Sequence, residues 1–171
     1  SIPEISFSGA QLVDILPELA RLSIEYDTTE PDPARRLRGR IGGGVTLWTA
    51  GDDAGTAAGV GRAGLTVTSV MVALGPEPRL LALIDPDSDL LRVVRTTGRA
   101  VVQLLCWSDR QLAEAFAGTA PAPGGPFRQA AFTTTPYGPL LAGTAAHAFV
   151  SLVGEREVGW SVEAVTRIDE V

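Results

Sequence analysis

Apolar and polar positions alternate in short blocks along most of this chain, and few blocks run long enough for a helix. Residues 9–25 place apolar side chains near helical spacing, with Pro17 kinking the segment or dividing it into two short helices. A polar stretch with two prolines follows at 27–33 and reads as a loop. A short helix is predicted over 33–40, with Pro33 in its first turn and Asp32 as N-cap, ended by glycines 42–44. The pattern then changes to strands. They are predicted at 45–50, at 57–70 (running into a Thr/Ser cluster), at 79–84, 100–106, 145–154 and 161–170. The Gly51-Asp-Asp-Ala-Gly55 run reads as a hairpin turn between the first two. Helices are expected at 88–97, capped by Ser88, and at 109–117, capped by Ser108. Residues 121–126 form a Pro/Gly loop, and Leu140 ends another.

Turns of this kind outnumber the long crossovers that parallel strands need. The expected fold is therefore mainly β with helices, an antiparallel barrel rather than a doubly wound sheet. Its length of 171 residues suits one core, with residues 1–31 as a helical N-terminal extension and 32–171 as the domain.

Composition narrows the chemistry. Hydrophobic residues make up 45% and charged residues 20%, values ordinary for a soluble globular protein. No apolar run reaches the roughly 18 residues of a membrane span, and the first residues show no signal-peptide pattern, so a cytoplasmic protein is expected. The net charge of −6 argues against a nucleic-acid partner. All 14 basic residues are Arg, which excludes Lys chemistry and hints at a GC-rich bacterial source. One His and one Cys exclude a multi-His or thiolate metal site, so no metal is expected. Cys106 cannot form an intrachain disulfide, and its apolar neighbours suggest a buried thiol. His147 is read as a structural or surface residue, and Trp160 as a core residue, with stacking on a ring as the alternative.

The motifs fall in a familiar order. Gly44-Val-Thr-Leu-Trp-Thr49 is followed by Gly64-Leu-Thr-Val-Thr-Ser69, a turn bracketed by Pro76 and Pro78, an apolar strand at 80–84, and Asp85-Pro-Asp-Ser88. Gly98-Arg-Ala-Val-Val-Gln-Leu-Leu105, Phe116-Ala-Gly118 and Gly138-Pro-Leu-Leu-Ala-Gly143 come next. Over residues 32–165 the chain resembles the flavin reductase-like family, whose fold is the FMN-binding split β-barrel. The resemblance implies a flavin-binding oxidoreductase that reduces FMN or FAD with NAD(P)H, generally a homodimer and sometimes serving a monooxygenase partner. It implies a flavin site at Thr66, Thr68, Ser69, Val70, Asp85 and Ser88, with the phosphate near Ser88 at a helix start; it identifies no catalytic residue.

The chain departs from the family pattern in two places. Val70, Met71 and Val72 stand where the family has an aromatic and two hydroxyls, a loss that Arg92 or Arg95 would have to offset. Residues 158–162 lack the family's late Gly-Asp-His-Thr. Two alternatives therefore stay open: a cofactor-binding module without reductase turnover, and a structural dimeric relative.

Overall fold

The computed structural model describes residues 32–41, 43–52 and 60–171. The expectations for the N-terminal extension and for the centre of the turn after Ala50 lie outside the described residues. The compact unit runs from Asp32 to Val171.

The chain enters through helix α1, Pro33–Ile41. Asp32 caps it, its Oδ1 accepting the Ala34 N–H at 3.1 Å. Ala34, Leu37 and Ile41 bury one side of the helix in the main core, and α1 packs against the strand Val70–Ala73. Seven strands then form one sheet: β1 Thr46–Ala50, β2 Ala63–Val67, β3 Val70–Ala73, β4 Arg79–Ile84, β5 Arg99–Leu104, β8 His147–Val158 and β9 Ser161–Glu170. Their order is β2-β1-β5-β8-β9-β4-β3, with every neighbouring pair antiparallel. Strands β6, Phe132–Thr135, and β7, Gly138–Leu141, make a separate hairpin that the sequence pattern did not reveal.

This order carries a geometric consequence. β2 and β3 are the outermost strands at opposite edges of the sheet, yet only Thr68 and Ser69 separate them in the chain. The three Cα–Cα steps from Val67 to Val70 span at most about 11 Å, so the sheet must curl until its edges meet. The segment expected as one strand to Val70 is thus two strands joined across the seam. Backbone bonds hold the join: Val70 donates to the Thr68 carbonyl at 3.1 Å, and Leu83 of β4 donates to the Ser69 carbonyl at 3.0 Å.

The curled sheet has apolar material on both sides. Inside lie Trp48, Ala50, Leu80, Ala82, Ile84, Val102, Val150 and Ala164. Helix α2, Asp89–Thr97, adds Leu90, Leu91, Val93 and Val94 to the same core. Outside β1 a second cluster forms around Leu47, Leu105, Leu112, Phe116 and Leu141. It is covered by helix α3, Arg110–Ala117, and the β6–β7 hairpin. This double cover explains why all five residues of β1 are buried.

The buried threonines 46, 49 and 166 and Gln103 find partners within the fold, whereas Trp48 Nε1 has none among the described residues. Gln103, fully buried, donates from Nε2 to Thr49 Oγ1 at 3.0 Å and to the Pro139 carbonyl at 3.3 Å. Its Oε1 accepts the Leu141 N–H at 2.5 Å. Gln103 therefore pins the β6–β7 hairpin to the barrel.

Three local expectations change. Cys106 lies just beyond β5 and is exposed rather than buried. Asp109 Oδ2, not Ser108, caps the turn before α3, accepting the Cys106 N–H at 2.8 Å. Trp160, expected in a core, is 98% exposed at the tip of the β8–β9 hairpin.

Candidate functional site

The Thr/Ser motif crosses the seam, and alternation along it decides what each residue can do. Gly64, on β2, faces the outer aromatic cluster. A Cβ there would stand 2.5 Å from Phe116 Cε1 and 3.2 Å from Phe127 Cζ, so only glycine fits. Thr66 is committed to packing: its hydroxyl donates to the Ala113 carbonyl of α3 at 2.6 Å. Thr68 and Ser69 sit in the link, where the chain changes edge. Their hydroxyls are exposed, and no other described residue engages them. Val70 is half-buried against the main core, and Val72 points into it.

Only Met71 of the three substituted positions faces outward, 69% exposed. The missing hydroxyl at Val72 therefore concerns the barrel interior, while the one at Met71 changes a surface. That surface is a groove of about 150 Å³, lined by Ser69, Met71, Leu81, Ala82, Leu83, Val158 and Glu163. Pairing builds it: Met71 lies opposite Leu81 on β4, Leu83 opposite Glu163 on β9, and Val158 closes the β8–β9 hairpin opposite Ser161. Arg156 binds both Glu163 oxygens, at 3.1 and 2.9 Å. That bidentate bond holds the Glu163 carboxyl below its ordinary range, so it stays ionised and paired.

Two cavities of about 300 Å³ lie elsewhere, one beside Arg36, Arg40 and His147, the other under α3 at Gln111 and Gln129. The smaller groove is the candidate because it combines an apolar floor with the open hydroxyl of Ser69. Such a mixture suits a flat heteroaromatic ring with polar edges.

The phosphate end is a different matter. Asp85 Oδ1 accepts the Asp87 N–H at 2.9 Å. Ser88 Oγ donates to the Asp85 carbonyl at 2.8 Å and accepts the Leu91 N–H at 3.2 Å, capping α2. The loop is thus closed on itself and carries Asp85, Asp87 and Asp89, three carboxylates that repel an anion. Neither arginine considered as an offset is free: Arg92 pairs with Asp89 at 3.2 Å, and Arg95 grips both oxygens of Glu155. The residues present fit the ring of a flavin and offer no cation for its phosphate at this loop.

Sequence reasoning passed over Leu81 and Leu83. Their signal is the apolar run of β4, where an outward face that met only water would alternate with polar residues.

The family described as "Flavin reductase like domain" matches residues 38–171. The chain belongs to that family. Solved structures share the fold. One is the Streptomyces globisporus C-1027 NADH:FAD oxidoreductase SgcE6 in complex with NAD and FAD fragments. It is 20% identical, covering 83% of this chain and 84% of that one, with a TM-score of 0.63. Another is the styrene monooxygenase flavin reductase SMOB from Pseudomonas putida S12, 21% identical over 74% of this chain and 76% of that one, TM-score 0.61. A third is BorF, the flavin reductase component of a bacterial two-component tryptophan halogenase, 21% identical over 80% and 84%, TM-score 0.60. No curated protein sequence matches the chain. Among the described residues no helix is long and apolar enough to cross a membrane.

Proposed function

We propose that this protein is a flavin oxidoreductase that binds FMN or FAD in the Ser69 groove and reduces it with NADH or NADPH. The observation that carries the reading is the groove itself, an apolar floor of Met71, Leu81 and Leu83 beside the open Ser69 hydroxyl, in a chain of the flavin reductase family. Flavin, when bound, would supply the two-electron redox chemistry, with the nicotinamide as hydride source. The chain's own work is to bind and orient. Met71, Leu81 and Leu83 offer one ring face an apolar bed, and the Thr68 and Ser69 hydroxyls serve its polar edge. The reaction asks for no strong acid or base from the protein, which agrees with Glu163 being held ionised by Arg156.

A second copy of this chain is the proposed partner. On the β8–β9 arm the exposed Val153, Val158 and Trp160 offer such a copy apolar side chains among charged neighbours for an isologous contact. Sedimentation at micromolar concentration tests this; a monomer overturns it. The likeness to SMOB, a styrene monooxygenase flavin reductase, and to BorF, the reductase component of a tryptophan halogenase, supports a further partner, a monooxygenase or halogenase that uses reduced flavin.

The deciding experiment is a titration with FMN and FAD, followed on the same sample by NADH and NADPH oxidation with excess flavin. Binding with turnover is expected. Binding without turnover turns the protein into a cofactor-binding module, and no binding overturns the flavin reading.

A further inference from the structure

Helix α1 runs against the charge of the chain. It holds Arg35, Arg36, Arg38 and Arg40 and no carboxylate, in a protein of net charge −6. Arg36 and Arg40 stand one turn apart, a spacing at which like charges repel along a helix face. Asp32, the nearest acid in sequence, caps the helix through the Ala34 N–H instead. Five other arginines pair with carboxylates, and Arg99 and Arg110 lie over aromatic rings. Among the described residues, Arg36 and Arg40 have no carboxylate partner.

The two arginines line a cavity of about 300 Å³ whose other wall is Ala145, Ala146 and His147, where the chain enters β8. No described Asp or Glu side chain lines it, and Val171 borders it without an ion pair to either arginine. The cationic groups are partly set in place. Arg40 Nη1 donates to the Ala145 carbonyl at 3.4 Å, which leaves most of its five N–H donors open. The half-buried His147 ring meets Phe149 edge-on at 5.1 Å, and Phe149 packs on Tyr137 at 5.1 Å. The volume lies at the lower end for small-molecule sites. A guanidinium fork matches phosphate oxygens in pairs, and two forks one turn apart suit one multivalent anion.

We infer that this cavity is a second binding site, for a small phosphate-bearing anion held by Arg36 and Arg40 with His147 as a third contact. It shares no lining residue with the groove proposed for the flavin, so it stands apart from the flavin reading. An anion there relieves the repulsion between the two arginines. It also bridges α1 to β8, which the Arg40–Ala145 bond joins on this side.

The test titrates the protein with pyrophosphate and inorganic phosphate at constant pH and ionic strength. The chain has one histidine, so the ring C–H resonances of His147 report on the cavity by NMR without ambiguity. Wild type should show a saturable shift, tighter for pyrophosphate, and chloride at equal ionic strength should give none. The double variant Arg36→Gln/Arg40→Gln should lose about tenfold or more in affinity. Arg36→Lys/Arg40→Lys should lose less, because Lys keeps the charge but not the fork. Arg92→Gln, outside the cavity, should bind as wild type does. Both cavity arginines are exposed, so every variant should melt near wild type. A shift that grows without saturating, or a Gln double variant that binds as tightly as wild type, would overturn the inference. FMN and ribose 5-phosphate should displace pyrophosphate equally. Displacement by FMN about tenfold better than by ribose 5-phosphate would make the cavity part of the flavin site and overturn its separateness. Because the readout needs no flavin, failure of flavin binding in its own titration leaves this inference standing.

Discussion

Glycine at position 64 is a steric requirement, and Gly64→Ala measures it. The φ of Gly64 is not in the left-handed region, so alanine suits the backbone, and its lower unfolded-state entropy alone would add about 0.4–1 kcal/mol of stability. The space is the obstacle. The new methyl would sit 2.5 and 2.8 Å from Phe116 Cε1 and Cδ1. Phe116 is buried, edge-on to Phe127 at 4.8 Å and to Phe132 at 6.0 Å, so its ring has nowhere to swing. Relief requires α3 to lift from β2, which also stretches the Thr66 hydroxyl bond to the Ala113 carbonyl. Overpacking of this kind costs about 1–3 kcal/mol. For a domain of this size a net loss of ~2 kcal/mol lowers Tm by roughly 4–8 °C. Calorimetry on four variants decides the matter. Gly61→Ala, where a Cβ meets nothing within 4 Å, should be neutral or slightly stabilising. Adding Phe116→Leu to Gly64→Ala should restore most of the loss relative to Phe116→Leu alone. If Gly64→Ala melts with wild type, or if the double variant is simply additive, the steric account is wrong.

Other variants probe separate links. Gln103→Leu strips the buried Leu141 N–H of its partner and should lower stability by about 2–4 kcal/mol in urea unfolding, with the β6–β7 hairpin exchanging amide protons fastest. Met71→Glu places a charge on the groove floor at an exposed site; the fold should melt unchanged, while FMN affinity in a fluorescence titration falls at least tenfold. Arg95 holds the Glu155 carboxyl below its ordinary range, mainly through their hydrogen bonds. A depressed carboxylate stabilises the fold above its unfolded-state pKa and loses that contribution as pH falls through the folded-state value. Glu155→Gln should therefore lower Tm at neutral and alkaline pH and flatten the acid side of the Tm–pH curve, so that it meets wild type at low pH; an unchanged acid side would sever this link between α2 and β8.

Much of the barrel was legible because its strands obey period two and its helices carry their own caps. Asp32 with Pro33, and Ser88 before the amphipathic run to Thr97, mark helix starts that the structure places within a residue. Strand β4 appears at the expected residues for the same local reason. The β6–β7 hairpin was not legible. Its strands are four residues each and contain Pro139, and what holds them is Gln103, more than thirty residues away. Cys106 misled because its apolar neighbours do not share its direction: Leu105 turns into the outer cluster, while Cys106 and Trp107 leave the sheet.

The candidate site shows where local reading ends. A polar pair within an apolar run looks like the exposed phase of one strand, since period two predicts the same alternation on either side of it. Whether Thr68 and Ser69 continue a strand or join two edges depends on partners: β2 pairs with β1, and β3 pairs with β4. Those pairings are set by burial of Leu47 and Trp48 on one side and of Leu80 and Ala82 on the other, and no window around residue 68 contains them. The groove inherits the same dependence. Met71, Leu83 and Val158 become neighbours only once the strand order places β3, β4, β9 and β8 side by side. A motif can thus mark where a ligand's polar edge would be met, while the apolar bed proposed for its ring is a product of topology. That is why Met71 reads as a loss along the chain and as a floor in the fold.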